Sequence, residues 1–420
     1  MKNHSCNLHV PFCSIFHSNS VVVAIECDWR QVQKLMIYFI EYPDLAYALT
    51  KAWVRQEQIS MIRERKKETK TDTVLLILVL LLAVFGLVML FSISEYNGRV
   101  RFGDSAYYFK KQLFATALGL MTMYIVAETD YRFFVRLAPA AYLLSMGLST
   151  AVLFVGQEIN GSRRWLNFGP LSFQPSEFAK AAVILFLTWQ IQGSKKTTAG
   201  FWFMCRTMLT LLPIVGLVGS NNLSTAIIIL GIGVILIFIS DPGYARFIGM
   251  GVTGAAVIAV FLAAESYRLE RLAIWRNPEK YEKGFQTIQG LYAIGSGGLF
   301  GRGFGSSLQK LGFVPEAQND MIFSIICEEL GLTGAFFLIG IFGLLMWRLM
   351  VIALHCRELQ GTLLCVGIMS HMAIQVILNI AVVTNTIPNT GITLPFISYG
   401  GTSVVFLLGE MGLALSVSRK

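Results

Sequence analysis

Residues 73–94 read TVLLILVLLLAVFGLVMLFSIS, an apolar run without a charged side chain. A helix needs about 20 apolar residues to cross the hydrocarbon core of a bilayer, so this run predicts a transmembrane helix. Similar runs recur toward the C-terminus, and of the 420 residues 55% are hydrophobic and only 14% are charged. Because an average soluble domain has about 25% charged residues, the composition excludes a water-soluble globule and predicts an all-α polytopic membrane protein.

Apolar windows along the chain predict ten transmembrane helices. We place them at residues 73–94, 113–128, 137–155, 175–191, 207–220, 223–240, 247–264, 321–347, 361–383 and 394–417. Only Asn221 and Asn222 separate the fifth and sixth, so a single tilted helix is an alternative there. The positions of Lys and Arg between the spans predict that both termini are cytoplasmic. Two large extracellular loops then follow, at residues 156–174 and 265–320, and loops of this length commonly bind or catalyse.

The first 70 residues differ in composition from the rest. Short apolar pieces are interrupted by charges, which predicts a cytoplasmic N-terminal leader that does not span, followed by a transmembrane domain at residues 71–420. Met61 precedes a basic stretch and the first span. Two interpretations therefore stay open: translation starts at Met61 and residues 1–60 are excess, or the chain has a small cytoplasmic extension.

Several classes of function are excluded by pattern. The net charge is +9, but the basic residues lie between apolar runs instead of on one face, so membrane orientation explains them better than nucleic acid. Seven cysteines and five histidines show no metal-ligand spacing and no His-Glu-x-x-His motif. The Gly-rich stretch at 295–303 matches neither a dinucleotide fingerprint nor a P-loop. We therefore expect no bound nucleotide, no zinc and no nucleic-acid partner.

Asp320 closes the second large loop, directly before the apolar run at 321–326. One interpretation is a helix N-cap. The other is catalytic, because a partly desolvated carboxylate at the water–lipid boundary can have a raised pKa and accept a proton from a sugar hydroxyl. The two roles are compatible. Glu328 and Glu329 follow in the same span and are expected to face protein, since charges are costly in lipid.

The fourth span opens with QPSE at 174–177, followed by Lys180. Glu177 and Lys180 are three residues apart, so they share a helix face and are expected to form an ion pair near the outer boundary. Such a pair either fixes packing or lines a polar cavity that faces outward, and both interpretations stay open.

Arginines and tryptophans occur in both large loops. Arg164 and Trp165 stand in the first loop, where they bind a diphosphate and a sugar or only anchor the loop. Residues 267–275 of the second loop mix apolar side chains with arginines, as in a helix lying in the headgroup layer. Arg271 in this segment is either part of that anchor or a clamp for a lipid diphosphate.

A polar stripe runs along the ninth span. His371, Gln375 and Asn379 are spaced four apart and therefore lie on one helix face. The stripe predicts either a conduit or a seam of hydrogen bonds between helices. The tenth span begins with PFISYGGTS at 395–403, for which close helix packing is the simpler interpretation.

Together and in this order, these motifs resemble the SEDS family (shape, elongation, division and sporulation), lipid-linked peptidoglycan glycosyltransferases that include FtsW and RodA. The resemblance covers roughly residue 73 to the C-terminus. It is carried by RWL at 164–166, QPSE at 174–177 with Lys180, PE at 315–316 with Asp320, EELG at 328–331 and LPFISYGG at 394–401. The strings at 315–320 and 381–403 are more similar to division-type FtsW than to elongation-type RodA.

The resemblance implies polymerisation of lipid II, the undecaprenyl-diphosphate disaccharide-pentapeptide, into β-1,4 glycan strands outside the bacterial cytoplasmic membrane, at the division septum. It also implies a class B penicillin-binding transpeptidase and division-complex membrane proteins as partners. The catalytic candidates are Asp320, Glu177 and Lys180. The substrate-binding candidates are Lys111, Gln112, Arg164, Trp165, Gln174, Ser176, Arg271, Glu316 and Ser398. Where the family often has Pro-Asp-Leu-Gly-Thr, this chain has NNLST at 221–225, so no carboxylate role is carried over there.

A mechanism follows as a hypothesis. Asp320 acts as the general base on the acceptor 4-hydroxyl, and an inverting displacement expels the lipid diphosphate. Cations at the outer boundary stabilise the leaving group; the candidates are Lys111, Arg164, Lys180 and Arg271. No cofactor is required by the sequence, although a divalent cation such as Mg or Mn is an option that assists the same step.

Two other classes of function stay open. A lipid II flippase would use the polar stripe of the ninth span, but it requires polar groups through the full depth of the membrane, whereas the strongest ionisable candidates gather at the outer boundary. A noncatalytic scaffold for division proteins would leave that outer cluster without a role. Labelled lipid II distinguishes the three, because polymer indicates an enzyme and translocation without polymer indicates a flippase.

Overall fold

The structure is a computed structural model, and it describes residues 71–159, 162–168, 171–194, 200–240, 248–249, 251–256 and 266–419. The chain divides into two units, Met1–Glu68 and Thr69–Lys420, and the description below concerns the second. The predicted leader at residues 1–70 lies outside the described residues.

Helices make up most of the described chain. They are α1 (Thr73–Phe102), α2 (Tyr107–Glu128), α3 (Tyr131–Val155), α4 (Pro175–Ser194), α5 (Phe201–Asn221), α6 (Leu223–Ser240), α7 (Ser266–Arg276), α8 (Phe285–Gly297), α9 (Ile322–His355), α10 (Leu359–Val383) and α11 (Gly401–Ser418). Seven helices in the described ranges are long and apolar enough to cross a membrane, which confirms the all-α polytopic class. The predicted count of ten is not confirmed. Helices α2 and α4 coincide with predicted spans but carry more polar residues, and predicted span 247–264 lies largely outside the described ranges.

Short-range signals fix the ends of α1. Asp72 precedes the first turn, and its carboxylate accepts a hydrogen bond from the Leu75 amide at 2.8 Å, which satisfies one of the free donors of that turn. The helix ends at Phe102 and is capped by Gly103, whose φ of 71° is the left-handed conformation that glycine adopts without a steric penalty. α1 therefore extends beyond the predicted end at residue 94.

The first large loop is a small sheet. Strands β1 (Gln157–Ile159), β2 (Ser162–Phe168) and β3 (Leu171–Phe173) pair antiparallel in the order β1-β2-β3. The register places Trp165 opposite Gln157 and Leu166 opposite Phe173. No strand was predicted in this loop from the apolar windows. Arg164 and Trp165 lie on β2, so the pairing of β2 with β1 and β3 holds their backbone in place.

The span predicted at 321–347 is confirmed as part of α9, but the helix is broken at Gly331, where φ is 68°. The break leaves backbone groups of α9 without partners inside the helix. These groups form hydrogen bonds with the Gly-rich segment that follows α8. The four bonds are Leu332 N to Gly298 O (3.0 Å), Thr333 N to Leu299 O (3.1 Å), Arg302 N to Glu328 O (2.9 Å) and Gly303 N to Glu329 O (3.0 Å). The Gly-rich segment therefore completes a broken helix, because a broken backbone inside a bundle needs such partners.

Both carboxylates next to the break face protein, as predicted. Glu329 is fully buried, and its Oε1 lies 2.8 Å from the Lys310 ammonium. Glu328 accepts hydrogen bonds from the Ser307 hydroxyl and from the Leu308 amide at 3.1 Å. These bonds hold residues 307–310 against α9. The second large loop is consequently folded; it contains α7, α8 and the 3₁₀ turns Pro278–Lys280 and Glu282–Gly284.

The tenth predicted span corresponds to α11, but its predicted start at residue 394 is wrong, because α11 begins at Gly401. Residues 394–400 form a tight turn in which the Leu394 amide donates to Ser398 Oγ at 2.8 Å. Gln112 of α2 braces the turn, since its Nε2 donates to Ser398 O (3.4 Å) and its Oε1 accepts from the Gly400 amide (3.1 Å).

Helix α10 lies at the centre of the bundle. It packs against α4, α6, α9 and α11, and α11 also packs along α2. Polar side chains on α10, such as those of the stripe His371, Gln375 and Asn379, can therefore reach groups on several other helices.

Candidate functional site

A cavity of about 2060 Å³ opens at the end of the bundle that carries the sheet. Its wall comes from α2, the sheet, α7, the start of α8, residues 316–320 and the beginning of α11. The connection between α10 and the 394–400 turn closes another side; we call residues 385–393 the wall segment. Asn385, Asn389, Thr390, Gly391 and Thr393 of this segment line the cavity.

Asp320 lines this cavity with a nearly buried side chain. The N-cap interpretation is wrong, because Met321 occupies the cap position of α9 and no side chain caps the helix there. Instead, Gln286 Nε2 lies 3.4 Å from Asp320 Oδ1, and Asn379 Nδ2 donates to the Asp320 carbonyl at 2.8 Å. The Asp320 carboxylate therefore does not cap α9, and Asp320 is one of the residues that line the cavity.

The pKa of Asp320 is raised to about 6, chiefly because burial disfavours the charged form. The charge of Glu316 raises this pKa further, while Arg271 and the hydrogen bond from Gln286 lower it. A carboxylate with a pKa near neutrality is a better base than an ordinary aspartate and is still ionised at pH 7. The group thus has the chemistry of a general base.

Glu316 is held in an unusual backbone conformation. Its φ of 52° lies in the left-handed region, which costs a residue with a Cβ about 1–3 kcal/mol. Three side chains bind its carboxylate: Arg101 and Asn319, each at 2.7 Å, and Gln318 at 3.3 Å. These bonds offset the strain and keep the Glu316 charge close to Asp320.

Three of the predicted cationic residues line the cavity. Lys111 bonds to the Tyr107 hydroxyl at 2.6 Å and lies 4.5 Å from the centre of that ring. Arg164 Nε donates to Asn221 O at 3.1 Å, and Arg271 Nη1 donates to Asn389 O at 3.3 Å. All three cations line the same cavity, so each can contact a polyanionic group that is bound there.

The predicted ion pair of the fourth span is confirmed. Lys180 Nζ lies 3.0 Å from Glu177 Oε1, and both side chains are buried. Glu177 lines the cavity, whereas Lys180 lies behind it and also donates to Gln375 Oε1 at 3.0 Å. Lys180 therefore contacts a cavity-lining residue, Glu177, without lining the cavity itself.

Eight of the twelve candidate residues line the cavity: Lys111, Arg164, Trp165, Gln174, Glu177, Arg271, Glu316 and Asp320. The other four, Gln112, Ser176, Lys180 and Ser398, lie behind its wall. Ser176 accepts a hydrogen bond from Gln174 at 3.1 Å, so it supports a lining residue. Gln112 and Ser398 brace the 394–400 turn, as described above. A substrate-binding role for these two stays a prediction, and the contacts they make are structural.

One side of the cavity is apolar and reaches the bundle surface. Phe114 and Leu118 of α2, Leu144 and Leu148 of α3, and Phe406 of α11 line it. Phe114 is 63% exposed, and Leu144 is 57% exposed on α3, one of the helices that are apolar enough to cross a membrane. The cavity consequently joins a charged chamber to a lateral apolar opening, which fits an amphiphile with a polyanionic head and a long apolar tail.

The donor set of the cavity does not fit a divalent cation held by side chains alone. Among the described residues, no three His, Cys, Asp or Glu side chains come together as metal ligands. Oxygen-rich sites for Mg²⁺ generally take one or two carboxylates together with substrate phosphates. The carboxylate of Glu316 is already bound to Arg101 at 2.7 Å.

Several groups at this site have no clear signal in the sequence. Gln286 of α8 bonds to the candidate base, but nothing in its local sequence signals that contact. The wall segment lies in a short polar connection between two predicted spans, and its Asn and Gly content was the available signal. Asn379 was identified as part of a stripe, although its bond to Asp320 depends on how α10 and α9 pack.

The family FTSW_RODA_SPOVE, described as "Cell cycle protein", matches residues 72–420, and a family of unknown function matches residues 1–30. Stage V sporulation protein E of Bacillus subtilis (strain 168) is 38% identical over 365 residues, covering 84% of this chain and 98% of that protein. "Probable peptidoglycan glycosyltransferase FtsW" of Trichlorobacter lovleyi is 33% identical over 368 residues, covering 86% of this chain and 96% of that protein.

Solved structures share the fold. A chain described under "Structural coordination of polymerization and crosslinking by a peptidoglycan synthase complex" matches with a TM-score of 0.71 and 30% identity, over 83% of this chain and 98% of that one. The rod shape determining protein RodA of Thermus thermophilus matches with a TM-score of 0.64 and 30% identity, over 83% and 97% of the two chains.

Proposed function

This chain belongs to the FtsW, RodA and SpoVE family of cell cycle proteins, and we propose that it is a peptidoglycan glycosyltransferase that polymerises lipid II during cell division. The observation that carries the proposal is the composition of one cavity. A carboxyl group with a pKa of about 6 stands in the same chamber as five cationic side chains, and apolar side chains of α2, α3 and α11 line another part of its wall. Three of the five cations are the predicted Lys111, Arg164 and Arg271.

The bond-forming step uses Asp320 as general base. The acceptor 4-hydroxyl gives its proton to the Asp320 carboxylate while its oxygen forms a bond to C1 of the donor sugar. The bond from C1 to the diphosphate oxygen breaks, and the diphosphate leaves with the electron pair on the face opposite to the attack. The product is a β-1,4 link, and Asp320 returns its proton to water in the cavity.

The departing diphosphate needs compensation of negative charge. Lys111, Arg164 and Arg271 line the chamber and supply it. Glu177, neutralised by Lys180 at 3.0 Å, adds a polar wall without adding net negative charge. The apolar opening between α2, α3 and α11 accommodates a polyprenyl tail, whose burial alongside Phe114 and Leu144 avoids contact of the tail with water.

The cavity end of the bundle faces the outside of the bacterial cytoplasmic membrane in this proposal, and both termini are cytoplasmic. The distribution of Lys and Arg supports this orientation. A class B penicillin-binding transpeptidase is the proposed partner at the division septum, together with division-complex membrane proteins. The likeness to a chain of a peptidoglycan synthase complex supports a partner of this kind.

Purified protein, alone and with a cognate transpeptidase, is given labelled lipid II in detergent and in vesicles. We expect glycan polymer from the wild type. Asp320→Asn should lower kcat by about 10²- to 10⁴-fold, because the variant keeps the shape of the side chain and loses the base. Glu95→Gln is the matched control, since Glu95 pairs with Arg99 at 2.8 Å on the exposed surface and neither residue lines the cavity.

Three results would contradict the proposal. Full polymerisation activity in Asp320→Asn would show that Asp320 is not the general base. Translocation of labelled lipid II without polymer, with or without the transpeptidase, indicates a flippase. Neither activity in the presence of the transpeptidase indicates a scaffold.

A further inference from the structure

The polar stripe of α10 connects with groups around the cavity. His371, Gln375 and Asn379 have exposed fractions of 1%, 1% and 0%, and they lie on successive turns of one face. If the stripe served only helix packing, its members would form hydrogen bonds with side chains of neighbouring helices. Instead, Gln375 and Asn379 form hydrogen bonds with the backbone of the wall segment and with candidate catalytic residues.

Asn379 joins the candidate base to the wall segment. Its Nδ2 donates to the Asp320 carbonyl at 2.8 Å and to the Ile392 carbonyl at 2.7 Å. Because carbonyl oxygens only accept, the amino side of the amide must face both of them, and the orientation of Asn379 is fixed. A Cβ added to Gly391 would lie 4.0 Å from Asp320 Oδ2, so the wall segment faces the carboxylate itself.

Gln375 makes the corresponding connection on the other side. Its Nε2 donates to the Thr393 carbonyl at 3.0 Å, the residue next to the one that Asn379 holds. Its Oε1 accepts from Lys180 Nζ at 3.0 Å, and Lys180 is paired with Glu177. The amide of Gln375 thereby links the Glu177–Lys180 pair to the same wall segment.

His371 and Glu410 hold Gln375 in this orientation. His371 Nε2 lies 2.9 Å from Gln375 Oε1 and must donate to it, because that oxygen only accepts. His371 Nδ1 lies 2.8 Å from Glu410 Oε2, so one proton is shared between the imidazole and the carboxylate. Either location of that proton gives the pair a net charge of zero, which suits a buried site in a membrane protein.

We propose that Asn379 and Gln375 are positioning residues that hold Asp320 and Glu177 in register across the cavity through the wall segment. The inference rests on the proposed function of Asp320. Neither amide lines the cavity, so neither touches the substrate. Both act on backbone carbonyls, and their removal shifts the carboxylates while leaving the reacting groups chemically intact.

The first test is the variant Asn379→Ala, with Ser370→Ala as matched control. Ser370 lies on the same helix, is 3% exposed, and its hydroxyl bonds only within α10, to Val366 O at 2.7 Å. Lipid II polymerisation should show kcat lowered about 10- to 100-fold by Asn379→Ala with KM nearly unchanged, because a small displacement of a catalytic group costs this much. Ser370→Ala should keep wild-type kcat and KM.

The pH profile separates positioning from a general loss of folded protein. The charged groups that act on Asp320 are Glu316 and Arg271, neither of which lies on α10. A smaller folded fraction lowers the plateau of the profile and leaves its acid limb in place. Release of the Asp320 backbone exposes the carboxyl to water, so the acid limb should move to lower pH in Asn379→Ala.

Two variants of Gln375 divide its roles. Gln375→Glu keeps an acceptor for Lys180 and His371 and loses the donor to Thr393, whereas Gln375→Met loses every bond. The proposal expects both variants to lower kcat, because the connection to the wall segment is absent in each. Wild-type kcat in Gln375→Glu together with a loss in Gln375→Met would limit Gln375 to holding Lys180 and would overturn its assigned role.

The variant Asp320→Asn, measured in the same assay, separates this inference from the proposed function. Full activity of Asp320→Asn contradicts the base itself. Loss of activity in Asp320→Asn combined with wild-type kcat and an unshifted acid limb in folded Asn379→Ala overturns the positioning role alone. If Asn379→Ala does not fold, Asn379→Ser replaces it; this variant keeps one donor, and the same comparison of kcat and acid limb decides the outcome.

Discussion

Gly331 and Gly301 meet backbone to backbone at the break in α9. A Cβ added to Gly331 would lie 2.3 Å from Gly301 N, and a Cβ added to Gly301 would lie 2.2 Å from Glu329 O. Both glycines also have positive φ, 68° and 78°. Two independent constraints, contact and conformation, therefore exclude a side chain at either position.

Gly331→Ala should lower the stability of the protein. The left-handed conformation alone costs about 1–3 kcal/mol with a Cβ, and the contact with Gly301 adds to it. Gly340→Ala is the matched control, because Gly340 lies in α9 with open space around its Cα, and alanine is the better helix former. Thermal unfolding in detergent should show a lower Tm for Gly331→Ala only; equal Tm values for both variants would contradict the break.

The acid limb of the activity profile should follow the charges around Asp320. The base is the carboxylate, so activity should fall as pH is lowered through about 6. Glu316→Gln removes a charge that raises the pKa of Asp320, and the limb should move to lower pH. Arg271→Gln removes a charge that lowers this pKa, and the limb should move to higher pH. Rates of lipid II polymerisation against pH measure both; limbs that move together would contradict Asp320 as the titrating group.

Separating the Glu177–Lys180 pair should destabilise the bundle. Each single variant, Glu177→Gln or Lys180→Met, leaves its partner charged and buried, which costs about 3–5 kcal/mol. The double variant removes both charges and should lose much less stability than the two single variants added together. A double-mutant cycle of unfolding measurements gives the coupling, and additive losses would show that the two side chains act independently.

Lys310 and Lys110 offer a comparison of the same ion pair in two environments. Lys310 lies 2.8 Å from Glu329 and is buried, while Lys110 lies 2.9 Å from Asp104 at the exposed surface. Lys310→Met should lower Tm strongly, because Glu329 is left as a buried, uncompensated charge. Lys110→Met should leave Tm unchanged within error, since exposed pairs contribute little. Similar shifts in both variants would contradict the role of burial.

The parts of this fold that were predictable are those with a local cause. The apolar run at 73–94 required a spanning helix, and the spacing of Glu177 and Lys180 required a shared helix face. The burial of Glu328 and Glu329 followed from the cost of charge in lipid. Each of these conclusions depends on composition or on neighbours within one turn.

The parts that were missed depend on contacts between distant segments. The break at Gly331 lies inside an apolar run, and only the Gly-rich segment at 298–303 makes it tolerable. Residues 394–400 have the composition of a span but fold as a turn, because Gln112 of α2 binds their backbone. Asp320 has a suitable sequence for an N-cap, yet α9 starts one residue later and leaves its carboxylate facing the cavity.

The stripe of α10 was predicted as a pattern, whereas its partners were not. Periodicity shows that His371, Gln375 and Asn379 share a face, and it contains no information on which carbonyls that face meets. The conduit and the seam both remained possible at that stage. The contacts with Asp320, Lys180 and the wall segment favour a third interpretation, a set of positioning bonds.

The chain of polar contacts from the cavity stops at Glu410. The next five residues of α11 after Glu410, from Met411 to Leu415, are buried and carry no polar side chain. An ion that reached Glu410 would find no ladder of donors or acceptors on this helix leading onward. A stretch of buried apolar side chains on α11 therefore separates the polar network of the cavity from the C-terminal end of that helix.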